Sequence, residues 1–208
     1  MDRTITIKGV GRYEAKPDTV ELGMTLKAKH PDYEMAVEQE EHKYEYLLRA
    51  IQECGFKAED LKTTYYRVSP AQRYENGSYV NEGWECSHSV ILRFPLDTEK
   101  LAELCSVITK GLSEPNLNIN FTVKDTEAAQ CILLKNAAAD AKIKAQMLAD
   151  ASGVKLGLLQ RIDYSWSDIN FYSRMEIAEE AVVCSPKAAY TPDDIDLEEN
   201  VTFVWAIE

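Results

Sequence analysis

No Cys-x-x-Cys pair occurs in this 208-residue chain, although it holds five cysteines, Cys54, Cys86, Cys105, Cys131 and Cys184. That spacing excludes a zinc knuckle and a thioredoxin-type redox pair, and an odd count does not suit a full disulfide framework. The cysteines read as small core hydrophobes. Histidine is scarce: the three, His30, His42 and His88, have no metal-ligand spacing. No Gly-x-Ser-x-Gly, His-Glu-x-x-His or P-loop motif is present. Gly9-Val10-Gly11 lacks the third glycine of a dinucleotide-binding turn, because Glu14 stands in its place and Pro17-Asp18 follows. A bulge or bend is the expected use of these glycines. No cofactor and no metal are expected, and no catalytic residue can be assigned.

Long apolar runs are also missing. The start, MDRTITIKGV, carries acid and base at once, so no secretory signal is read there and a cytoplasmic location is expected. A leader trimmed from the natural chain would make the location periplasmic. No stretch approaches the ~18 apolar residues of a membrane span.

Positive charge is short, with 23 Lys and Arg against 35 Asp and Glu, a formal net charge of −12. Such a surface repels a phosphate backbone, so no nucleic-acid partner is expected, and an anionic membrane surface is disfavoured likewise. Ten acids against two bases lie between Ser167 and Glu208. Residues 167–194 show no clear period and read as a mobile acidic excursion.

What is present is ordinary globular material, 45% hydrophobic and 28% charged. Alternation predicts strands near Arg3–Val10, Val20–Ala28, Lys62–Ser69, Trp84–Phe94, Asn116–Lys124, Leu156–Trp166 and Val201–Ile207. The first two are expected to form a hairpin through Lys16-Pro17-Asp18. Asn76-Gly77 marks another hairpin turn. Helical spacing predicts Tyr33–Cys54, capped by Asp32 and followed by Gly55, with an apolar stripe of Tyr33, Val37, Tyr44, Leu47, Leu48 and Ile51. A second helix opens at Asp97 or Thr98. The third opens at Asp125 or Thr126, and its inner face is expected to be Ala128, Cys131, Ala138, Ala141, Ala145, Leu148 and Ser152. The order ββαββαβαββ argues for an α+β fold, a mixed, largely antiparallel sheet covered by helices. Residues 1–208 are expected to form one domain, with two tightly packed α/β halves as the alternative.

Several stretches occur together in a familiar order. Ile5-Thr6-Ile7-Lys8-Gly9-Val10-Gly11 leads to Ala15-Lys16-Pro17-Asp18. Cys54-Gly55-Phe56 leads to Asp60-Leu61-Lys62-Thr63. Gly83-Trp84 precedes an alternating strand, and an alanine-rich helix, Ala137 to Ala151, precedes Gly153 and Leu156-Gly157. This series resembles the SIMPL-domain family over nearly the whole chain. The resemblance implies a homo-oligomer and envelope or oxidative-stress roles, and it carries no accepted catalytic residues. The chain departs from many relatives in showing no export signal.

Two sets of residues stand out as candidate sites. Tyr65, Tyr66, Tyr74, Tyr79 and Trp84 cluster on the third and fourth strands, and Tyr74, Tyr79 and Trp84 form the candidate interface of a self-associating, non-enzymatic subunit. Cys86 and His88 share the apolar face of one strand. An imidazole can take a thiol proton, but i and i+2 on a strand lie roughly 6.5 Å apart, too far for a direct hydrogen bond. A cleft near His88, in a small-molecule-binding module or an enzyme, is the second reading. A redox-responsive thiol protein is the third.

Overall fold

The structure is a computed structural model and describes residues 3–75, 77–112, 116–165, 169–173 and 191–208. Its elements in chain order are β1 (Thr4–Ala15), β2 (Thr19–His30), α1 (Tyr33–Glu53), β3 (Leu61–Glu75), β4 (Ser78–Pro95), α2 (Thr98–Gly111), β5 (Asn116–Thr122), α3 (Thr126–Ala151), β6 (Leu156–Asp163) and β7 (Ile195–Ile207). A 3-10 turn, Ala58–Asp60, precedes β3. The fold is α+β, and the β1–β7, β6–β7, β2–β4 and β3–β4 pairings are antiparallel.

These elements group into two compact units that divide near Pro17–Asp18 and Phe121–Thr122. The first contains β1, α3, β6 and β7; the second contains β2, α1, β3, β4, α2 and nearly all of β5. No Gly- or Ser-rich stretch marks either division. The expected β1–β2 hairpin is therefore corrected. β1 pairs along its length with β7 and β2 pairs with β4, so the turn at Pro17 passes the chain from one sheet to the other.

In the first unit the sheet order is β1-β7-β6. Ile7, Val201, Phe203 and Trp205 pack on Ala137, Ala141 and Ala145 of α3. The buried line of α3 runs Ala129, Leu133, Ala137, Ala141, Ala145 and Ala149, one every fourth residue. The expected face was thus rotated by about one position: Cys131 and Leu148 are exposed. The reason is close approach to β1. A Cβ at Gly9 would lie 2.1 Å from the Ala137 carbonyl oxygen, and one at Gly11 would lie 1.9 Å from that of Leu133. The glycines admit the helix backbone to the strand and do not serve a bulge. Side chains of α3 also cap the outer edge of β1. The Val10 N–H donates to Asp140 at 2.8 Å, and Asn136 Nδ2 donates to the Arg12 carbonyl at 2.8 Å. Lys144 and the Val10 N–H hold the Asp140 carboxyl below the usual carboxylate range.

In the second unit the sheet order is β3-β4-β2-β5. One face, with Val20, Leu22, Met24, Leu26, Val90 and Leu92, packs on α1 and α2 through Leu47, Ile51, Leu101, Leu104 and Ile108. Each helix is opened by an aspartate that accepts a first-turn N–H, Asp32 from Met35, Asp97 from Lys100 and Asp125 from Ala128. The hydroxyl of Tyr46 donates to the Val107 carbonyl and joins α1 to α2.

Most of the expected excursion, 167–194, lies outside the described residues, as do Cys184 and Asn76 of the hairpin turn. Residues 169–173 are docked: Ile169 and Phe171 pack on Ala15, Ala129 and Leu133, and the Thr122 hydroxyl donates to the Phe171 carbonyl.

Gly11→Ala is expected to lower stability by about 1–3 kcal/mol, since the added methyl meets a backbone carbonyl that cannot swing aside. Urea unfolding measures it. Unchanged stability would mean that β1 and α3 do not approach this closely.

Candidate functional site

The third and fourth strands are longer than alternation suggested, and their excess length is the main feature of the second unit. Register between β2 and β4 ends at His30 opposite Trp84. Beyond it, among the described residues, β3 and β4 continue alone, with Gln72 opposite Asn81, Arg73 opposite Val80, Tyr74 opposite Tyr79 and Glu75 opposite Ser78. A two-stranded arm results. At its tip the rings of Tyr74 and Tyr79 meet edge-on at 5.2 Å. These tyrosines are 65% and 73% exposed.

The arm is fixed at its root. Trp84 is half-buried and sits edge-on against Tyr33 at 5.2 Å, so it anchors the arm and is less available than the tip as a contact. Glu82 is shared by Lys29 and Arg73. The lysine, by hydrogen bond and charge, and the arginine, by charge, draw the Glu82 carboxyl below its ordinary range. Gly83 has φ +102°, and a Cβ there would lie 2.4 Å from the His30 carbonyl oxygen, so only glycine fits this corner.

Directly below the root lies a buried polar cluster that the sequence only half revealed. His88 Nδ1 is 2.7 Å from Glu40 Oε1, and His88 Nε2 is 2.9 Å from the Thr63 hydroxyl. Glu40 is 2% exposed and His88 7%. Both ring nitrogens thus have a protein partner. Tyr44 lies over the imidazole at 4.7 Å and Tyr66 meets it edge-on at 5.2 Å. Each partner comes from a different element: Glu40 and Tyr44 from α1, Thr63 and Tyr66 from β3, His88 from β4.

Cys86 is not a hydrogen-bond partner of the His88 ring, whose nitrogens face Glu40 and Thr63. Its hydrogen-bond partner is Tyr66, whose hydroxyl donates to the sulfur. That bond first, then burial and the carboxylates of Glu40 and Glu41, raise the Tyr66 hydroxyl well above its ordinary value. Burial is the main cause that raises the Cys86 thiol; the Tyr66 bond opposes it. Cys54 is likewise raised, first by burial and then by Glu103. Cys54, Cys86 and Cys105 are buried, whereas Cys131 is exposed.

Sequence reasoning found His88 and missed Glu40. The signal was there, since Glu40 falls in the same helical stripe as Val37, Tyr44 and Leu47. A carboxylate in an apolar stripe needs a buried partner, and His88 is the histidine on an apolar strand face.

The model of one protein family, SIMPL, described as "Protein of unknown function (DUF541)", matches residues 5–205. The chain belongs to the SIMPL family. No curated protein matches it. Among the described residues of this SIMPL chain, no helix is long and apolar enough to cross a membrane, and no three His, Cys, Asp or Glu gather as metal ligands.

Glu40→Ala is expected to cost about 1–3 kcal/mol, because it leaves a buried imidazole nitrogen unpaired. Glu40→Leu combined with His88→Leu should cost less than the sum of the two single changes, as unfolding by urea will show. Additive losses would mean that the pair is not coupled. In native protein a thiol probe followed by peptide mapping should modify Cys131 before Cys54, Cys86 or Cys105. The raised Cys86 and Cys54 thiols hold little thiolate near neutrality and gain it only as pH rises. Rapid labelling of Cys86 at neutral pH would contradict this arrangement.

Proposed function

We propose that this SIMPL-family protein is a non-enzymatic assembly subunit whose β3–β4 arm docks on a second copy of the chain. The observation that carries the reading is the arm itself. Among the described residues its outer half has no third strand, and its tip displays an exposed tyrosine pair. An isolated two-stranded ribbon is at best marginally stable in water, so a partner that covers it contributes to its order. Tyrosines bury much area at small entropic cost, which suits a contact tip.

Charge allows the approach. Between Leu61 and Pro95 stand four bases and three acids, in a chain whose net charge is −12. The hairpin therefore meets a second copy with little of the repulsion that the whole molecule would generate.

Readings that place chemistry beside His88 draw less support. Both of its ring nitrogens face protein partners, and the neighbouring thiol is held in its protonated form. The cluster reads better as the clasp that joins α1 to the base of the arm.

Light scattering across micromolar concentrations tests the proposal. The protein should form a defined oligomer, and Tyr74→Ala with Tyr79→Ala should weaken assembly by about tenfold or more while leaving the unfolding midpoint of the monomer unchanged. A strictly monomeric protein at high micromolar concentration would refute it.

A further inference from the structure

A chain of net charge −12 opposes its own assembly unless unlike surfaces are brought together. The two sheets carry such surfaces on the faces turned away from their helices. In the second unit, Arg67, Ser87 and Lys27 share one row across β3, β4 and β2. Both cations are exposed, and among the described residues neither is ion-paired to a carboxylate. They lie about 9–10 Å apart, two strand spacings. The next row holds Tyr65, Ser89 and Thr25, with Tyr65 46% exposed and the Ser89 and Thr25 hydroxyls 3.0 Å apart. On the other side Glu85 stands in register with Lys29, whose ammonium is paired with Glu82.

In the first unit the outward row opposite Ala15 and Tyr13 has the reverse sign. Glu14 stands in register with Asp196, a like-charge pair that is unfavourable by itself. Asp193 and Asp194 lead into the strand, and all four acids are exposed. Glu198, two residues on, is paired with Arg12 at 3.0 Å. Even with Arg12 and Lys16 counted, five acids face two bases at this end of the sheet.

We infer that the Arg67–Lys27 face of one copy docks on the Glu14–Asp196 face of a second copy. This inference rests on the assembly reading above and names the charged contact that orients it. The occupant is committed by charge: each copy carries both halves of the contact. A contact between two different patches is heterologous, so it propagates around a ring or along a filament. Tyr65 supplies aromatic area beside the cations, and the Ser87, Ser89 and Thr25 hydroxyls offer hydrogen bonds to carboxylates. Docking also relieves the Glu14–Asp196 repulsion, which Arg12, already paired with Glu198, offsets only in part. Exposed charges are screened by salt, so the contact weakens as ionic strength rises.

Charge-swap complementation, read by sedimentation, tests the contact. Lys27→Glu with Arg67→Glu makes both faces acidic; Glu14→Lys with Asp196→Lys makes both faces basic. Each variant alone should associate at least about tenfold more weakly than the wild-type protein. An equimolar mixture should regain association, because each variant then offers what the other lacks. Wild-type association should also weaken between roughly 0.05 and 0.5 M salt, a measurement that requires no variant to fold. Charge variants that assemble like wild type, a mixture no better than its components, or wild-type assembly indifferent to salt would each overturn the inference. If those results appear while Tyr74→Ala with Tyr79→Ala still dissociates the oligomer, the arm reading stands and the charged contact falls. A wild-type protein monomeric at every salt concentration removes both.

Discussion

The arrangement depends on a mismatch of strand lengths. β2 stops at His30, where Pro31 and the aspartate cap of α1 turn the chain into a helix, while β3 and β4 run on to Glu75 and Ser78. A proline lacks the N–H a ladder needs, and Asp32 commits its side chain to the helix N-terminus. Among the described residues the sheet thus narrows to two strands where the hairpin is still far from its turn. Everything distinctive in the second unit serves that transition: Trp84 against Tyr33, Glu82 between Lys29 and Arg73, and a glycine corner at Gly83.

The buried Glu40–His88 pair belongs to the same problem. β3 is an edge strand with bulges near Thr64 and Ala71, and much of it is exposed. Apolar packing holds such a strand weakly. A polar cluster that takes one partner from α1, one from β3 and one from β4 fixes the strand's position, because its hydrogen bonds are directional and leaving any of them unmade is costly. Edge protection differs between the units. Asp140 and Asn136 of α3 occupy the outer edge of β1, whereas β3 has no comparable cover from α1 along the arm. Among the described residues one edge is capped and the other is open, and an open edge offers unpaired backbone groups to a further strand.

Much of this was legible in the sequence where side-chain contrast was strong. Alternating Val, Leu and Met against polar residues marks β2, and Asp32, Asp97 and Asp125 announce the helices they cap. Legibility failed where the contrast was weak or the partner distant. The inner face of α3 is mostly alanine, so the larger apolar residues Cys131 and Leu148 misled the assignment although they face solvent. The partner of β1 is β7, nearly the whole chain away, and no local pattern distinguishes it from a hairpin with β2. Glu40 was passed over because a carboxylate on a helix is read as solvated unless its stripe is examined position by position. The arm beyond Ser69 carries Pro70, Asn81 and Gly83, which broke the alternation that would have extended both strands.

Amide hydrogen exchange of the arm as a function of protein concentration addresses the central claim most directly. Residues 72–75 and 77–83 should exchange slowly at concentrations where the protein assembles and much faster on dilution, while β1 and β7 remain unchanged. Exchange in the arm that is independent of concentration, at either rate, would show that no second copy covers it.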